Sequence, residues 1–168
     1  MTDSAPLQQF STPEDIDRKI KEMMPHATVY KENWAYKKFR EYNDARNQHI
    51  LQINSTELMV LNSIEEMSKG NVAFLLPLFI NDIRKKDGSK FPGESLRQLI
   101  SSLFHYFHYE LKREWNFFKD AEFTEGVQAL DACMKSATRE GIGLYKKKAS
   151  CISKDTEERL WTDNHLGT

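Results

Sequence analysis

The sequence predicts an all-α fold, a compact orthogonal bundle of about six helices. Three observations predict it. Glycine and proline are scarce, 7 and 5 in 168 residues, and nearly all fall between stretches with apolar residues at helical spacing. Val72, Leu75, Leu76, Phe79, Ile80 and Ile83 form one wide apolar stripe. No alternating β-branched run of useful length occurs, and no internal repeat.

The elements follow in order. Residues 1–11 are polar and small, which predicts a disordered lead-in. Thr12-Pro13-Glu14-Asp15 sets a capping hydroxyl, a proline and acids at a helix start, and Pro25 ends that helix. A second helix is expected over 31–47, with Ala35, Phe39, Tyr42 and Arg46 on one side. A third is expected from Ser55 or Thr56 to Gly70, carrying Leu58, Leu61 and Ile64. The fourth holds the Val72 stripe; Pro77 should kink it or mark its true start, and Asp87-Gly88 stops it. Phe91-Pro92-Gly93-Glu94 frames the fifth, with Ser95 and Gln98 as a capping box. Its stripe is Leu96, Leu99, Ile100, Leu103, Phe104 and Phe107. After an aromatic connection, Trp115 to Phe118, a sixth helix over 121–140 buries Val127, Leu130, Met134 and Ala137. Gly141-Ile142-Gly143 terminates it. A last short helix starts at Ser153 and holds Leu160 and Trp161.

Composition excludes several classes. Lysine plus arginine number 24 against 25 acids, a net charge of -1, so the chain is not basic throughout and any nucleic-acid contact needs a local patch. Two cysteines, Cys133 and Cys151, exclude a disulfide framework and a cysteine-rich zinc site; both read as free thiols in a reducing compartment. The polar start lacks the basic and then apolar regions of a signal peptide. The most apolar run, Val72 to Ile80, is broken by Pro77 and falls short of the ~20 residues that cross a bilayer. A location in the cytosol or nucleus is expected.

Most catalytic motifs are missing. There is no glycine-rich phosphate loop, no Gly-x-Ser-x-Gly elbow and no His-Glu-x-x-His. His105 and His108 stand three apart with Glu110 beyond, a donor set that suits zinc or iron. A third well-placed ligand is not evident, so a surface or half-buried histidine pair is the favoured reading, with no metal and no cofactor. Cys133 sits beside the stripe of the sixth helix and reads as a small buried side chain. Glu65-Glu66 and Glu157-Glu158 read as solvated helix faces. The basic residues carry more. Arg84, Lys85, Lys86 and Lys90 face only Asp87 nearby. Lys31, Lys37, Lys38, Arg40 and Arg46 stand against Glu32, Glu41 and Asp44, and Lys146-Lys147-Lys148 form a third cluster. Such clusters neutralise phosphates, though lysines near helix ends also offset the helix dipole and keep a protein soluble.

An ordered series of short pieces carries a resemblance: Trp34-Ala35 with Phe39, Arg84-Lys85-Lys86-Asp87-Gly88, Phe91-Pro92 with Ser95-Leu96, Leu130-Asp131 with Met134-Lys135, Gly141-Ile142-Gly143, and Leu160-Trp161 with Leu166-Gly167. Across 29–167 their order and spacing resemble the N-terminal, core-binding part of Crypton-type tyrosine recombinase domains, as in glutamine-rich protein 1 and zinc-finger MYM-type relatives. Three positions depart from that pattern: Pro92-Gly93 in place of two prolines, His105 where many relatives carry arginine, and Pro77. The resemblance implies a helical core-binding domain over 12–152, with 153–168 leading toward a catalytic domain. Strand exchange needs a tyrosine nucleophile and two arginines, one in a His-x-x-Arg element. None of His26, His49, His105, His108 or His165 has an arginine three residues on, and Tyr30, Tyr36, Tyr42, Tyr106, Tyr109 and Tyr145 all lie in the helical part. This chain alone is therefore not expected to cut DNA.

Two functions remain. The first is a nuclear, transposon-derived module for double-stranded DNA, with recombination and integration as the ancestral setting. By charge, Lys37, Lys38, Arg40, Arg84, Lys85, Lys86 and Lys90 are its candidate phosphate contacts. The second is a domesticated nuclear protein–protein interaction module in transcription regulation, presenting Trp115, Phe117, Phe118 and Phe123, although such aromatics are more often core or loop anchors. Neither reading calls for a membrane or a small-molecule ligand.

Overall fold

A computed structural model describes residues 9–143, and every regular element among them is helical. The predicted bundle is the observed one, with five α-helices and three short turns of tighter or wider helix. The expected helix from Ser153, the Lys146–Lys148 cluster and Cys151 lie outside the described residues.

Helix α1, Pro13–Met23, begins as the sequence predicts. The Thr12 hydroxyl accepts from the Asp15 amide at 3.2 Å, and the Asp15 carboxylate accepts from the Thr12 amide at 2.9 Å. None of its residues is buried. It leans on the bundle through Lys112 to Asp17 at 2.8 Å and Lys21 to Glu110 at 3.8 Å. Helix α2, His26–Gln52, is longer than expected at both ends. Pro25 fits just ahead of a first turn that needs no amide there. The far end closes on Asn54 in the left-handed region (φ 53°), with the Ser55 amide donating to Ile50 O and the Asn54 amide to Leu51 O.

The expected helix from Ser55 to Gly70 is absent. Residues 55–63 are irregular, and only Ile64–Glu66 makes one 3-10 turn. The cause lies on α2, whose side chains take the carbonyls. Asn43 and Asn47 both donate to Val60 O, at 2.9 and 2.8 Å, and Arg46 donates to Leu58 O at 2.6 Å. Val60, Ile64 and Met67 are buried by this strap, while Leu58 and Leu61 stay exposed. Gly70 instead falls in the first turn of α3, Lys69–Asp82, capped by Ser68. Pro77 lies inside α3 and does not mark its start.

Helix α4, Gly93–His105, starts after Pro92 with no side-chain cap, so Ser95 and Gln98 form no capping box. It runs into a π-helical turn, Tyr106–Glu110, that brings Phe107 into the core. After a 3-10 turn at Ala121–Phe123, helix α5 spans Thr124–Arg139. Gly141 (φ 75°) ends it as predicted, with Ile142 and Gly141 amides donating to Ala137 O and Thr138 O.

The core forms where α5 packs on α3 and α4 packs on α2 and α5. Phe39 sits at its centre, 5.2 Å from the Phe79 ring and 6.2 Å from Phe107, each edge-on. Phe117 and Phe123 are fully buried beside Phe107, and Trp115 stacks on Phe107 at 5.8 Å. Of the aromatic set offered as an interaction surface, Phe117 and Phe123 are thus core, Trp115 is half-buried against it and Phe118 is exposed. No described helix is long and apolar enough to cross a membrane.

Candidate nucleic-acid interface

Helix α2 places Lys31, Trp34 and Lys38 along one side, at i, i+3 and i+7. The connection from α3 to α4 brings Arg84, Lys85, Lys86, Lys90 and Phe91 to the same end of the bundle. A tight turn holds it: Gly88 (φ 82°) donates to Lys85 O, the Lys85 amide donates to Ser89 O, and Asp87 accepts from the Ser89 amide and hydroxyl. Phe91 meets Trp34 edge-on, 6.3 Å between centroids. Together they wall a mainly apolar cleft of about 270 Å³ that Lys31 and Lys85 also line, and the Lys38 ammonium lies 6.0 Å from the Trp34 ring.

Phe91 is also a wall of a second cleft, of about 260 Å³, between the end of α3 and α5, where Arg84, Lys90 and Cys133 converge. Arg84 donates to the last carbonyls of α3, Asn81 O and Ile83 O, a fitting place for a cation at a helix C-terminus. Lys90 pairs with Glu140 at 2.6 Å, and that hydrogen bond holds the Glu140 carboxyl below the usual range. Burial pushes the Cys133 thiol up, against the opposing pull of Arg84 and Lys90, which favours its protonated form.

The fold therefore gathers Lys38, Arg84, Lys85 and Lys90 of the predicted set, adds Lys31, and leaves Lys86 exposed on the loop. Arg40 is not brought there. It lies two residues past Lys38, about 200° further around α2. Its guanidinium sits 5.7 Å over the Tyr36 ring, on the side where Tyr36 stacks on Tyr106 and donates to Glu65. Lys37 is exposed, and both it and Lys38 approach the Glu41 carboxylate, at 3.8 and 3.9 Å.

One residue of the groove between α2 and α4 escaped the sequence reading. Glu32 is 3% exposed, and its Oε1 has no hydrogen-bond donor among the described residues. The signal was present: Glu32 falls on the same stripe as Ala35 and Phe39. Its neighbour is His105, with Nδ1 at 3.7 Å. Burial, with Glu110 adding, raises the Glu32 carboxyl above its ordinary range, whereas burial, with His108 adding, lowers His105. Both shifts favour the uncharged forms, so the pair is held together weakly as an ion pair. His108 turns to Arg113 O at 3.2 Å. Among the described residues no three His, Cys, Asp or Glu side chains gather to hold a metal.

A raised carboxyl means that the folded chain holds this proton more tightly than the unfolded one. Its contribution to stability is complete below the ordinary glutamate range and declines as pH rises through the folded value. Glu32→Gln is expected to stabilise the chain by about 1–3 kcal/mol at pH 8, the scale of one unsatisfied buried group. The gain should shrink toward zero at pH 4 in thermal melts, and a gain equal at both pH values would contradict the burial of the charged form.

A model of the QRICH1 domain family matches residues 25–137. No curated protein and no solved structure matches the chain. The family match supports the resemblance to glutamine-rich protein 1 read from the sequence. It runs from the residue before α2 to the last buried position of α5, taking in the Trp34–Phe91 cleft and its cations. With more than half of its length in that match, the chain belongs to the QRICH1 domain family.

Proposed function

We propose that the chain is a nuclear DNA-binding module, akin to the core-binding half of a Crypton-type tyrosine recombinase and without the residues for strand exchange. One observation carries the reading: Lys31 and Lys85, far apart in sequence, line a single cleft, with Arg84 and Lys90 just across Phe91. With Lys38 these make five cations at one end of the bundle, able to meet phosphates once Lys38 and Lys90 exchange their pairing with Glu41 and Glu140 for them. Two of the tyrosines, Tyr36 and Tyr42, support the non-catalytic half of the proposal. A nucleophilic phenol needs an accessible, easily ionised hydroxyl. Tyr36, bonded to Glu65, is pushed up to about 12 chiefly by burial, and Tyr42, donating to Asp82 at 2.7 Å, is raised further for the same reason.

Titration of a labelled duplex at several salt concentrations tests the reading. Five phosphate contacts predict that log affinity falls with log salt at a slope of about -4.5. The double variant Lys31→Gln, Lys85→Gln should flatten that slope by about 2, and Lys37→Gln with Arg40→Gln should leave it nearly unchanged. A salt-independent isotherm, or no binding at low salt, overturns the proposal.

A further inference from the structure

The α2–α4 groove holds more than phosphate contacts require. Beside the Trp34–Phe91 cleft, and sharing Lys31, Gln98 and Ser102 with it, is a second hollow of about 250 Å³ lined by Glu32, Arg97, His105 and, at its edge, Glu94. The groove thus offers an aromatic wall, a buried carboxylate oxygen with no donor, and three cations at its edges. A ligand matching all three is planar and apolar on its faces, bears an amine donor, and carries negative charge. An acidic amphipathic peptide would satisfy the wall and the lysines and set its carboxylates against Glu32. A basic peptide would satisfy Glu32 and be repelled by Lys31, Lys85 and Arg97.

On the reading that the chain binds nucleic acid, we propose that this groove receives one unpaired nucleotide whose base carries an exocyclic amine. The base lies against Trp34 and Phe91 with its amine toward Oε1 of Glu32, and the flanking phosphates meet Lys31, Lys85 and Arg97. Bases inside a duplex hide their faces in the stack, so a concave aromatic wall is useful only to a base outside it. A carboxylate accepts from the amine of cytosine and finds only a carbonyl at the same place in thymine.

The test uses the full chain with labelled oligo(dC), oligo(dT), oligo(C) and a blunt duplex. Oligo(dC) should bind about tenfold more tightly than oligo(dT). Glu32→Leu should erase that ratio while duplex binding persists, and its circular dichroism should match the parent. Trp34→Ala should weaken single-strand binding about tenfold, with Trp34→Phe restoring most of it. Tight oligo(C) binding assigns the strand to RNA and oligo(dC) alone to DNA, both in support of the groove. Equal binding of dC and dT, unaltered by Glu32→Leu, overturns this inference while a salt-dependent duplex isotherm leaves the parent reading intact. Loss of all oligonucleotide and duplex binding overturns both. Displacement of oligo(dC) by a peptide of alternating Glu and Leu that binds more tightly overturns the inference in favour of a protein partner.

Discussion

Phe39→Ala is expected to cost about 3–5 kcal/mol of stability, the usual range for removing a fully buried phenylalanine. Phe39 is 0% exposed and joins the Phe79 and Phe107 rings, so its loss opens a void where α2, α3 and the π-helical turn meet. Rigid aromatic neighbours on both sides prevent the site from closing. With about 2–4 °C per kcal/mol for a chain of this size, a fall of roughly 10 °C in the melting midpoint should follow. A fall of only a degree or two would show that Phe39 does not occupy the centre of the core. Phe39→Leu keeps most of the volume and should cost far less.

Gly126→Leu should be nearly as damaging, by about 3 kcal/mol. Gly126 is buried on the face that α5 turns to α3, and a Cβ there would stand 2.9 Å from Leu76 Cδ2. Leu76 is itself 1% exposed and has no room to retreat. Gly126→Ala separates the two terms. Alanine gains about 1 kcal/mol of helix propensity but its Cβ already forces Leu76 to shift, so it should destabilise less than leucine does. Urea unfolding of the three chains should rank Leu far below both glycine and alanine. A leucine variant as stable as its parent would mean that α5 does not pack so closely on α3.

How much of this was legible in the sequence depends on where the deciding atoms lie. The apolar stripes of α3, α4 and α5 were legible because helical spacing reports directly on burial. The start of α1 and the stop of α5 were legible because Thr12, Asp15 and Gly141 act on their own neighbours. The stretch after α2 was not. Leu58, Leu61 and Ile64 have helical spacing, yet Asn43, Arg46 and Asn47, one helix away, occupy the carbonyls that a helix would need. Trp115, Phe117 and Phe123 looked like an exposed set because the irregular backbone around them has no period to read.

The basic site was half legible for a similar reason. Runs of lysine and arginine mark charge along the chain, and a helix distributes consecutive residues around its axis. Lys38 and Arg40 therefore part company, whereas Lys31 and Lys85 meet only because Phe91 packs on Trp34. Glu32 could have been found, as the one acid in register with Ala35 and Phe39 on the buried stripe of α2.

The mooring of α1 has a practical consequence. Its two links to the body, through Lys112 and Lys21, are between opposite charges at the surface, the kind of attraction that dissolved ions blunt. The range of ionic strength that tests the proposed binding of a polyanion at the cleft will also slacken this helix. A version beginning at Pro25, where the family match begins, lacks this electrolyte-sensitive joint. Comparing the two across a salt series separates the grip on the ligand from the grip of the protein on its own leading arm.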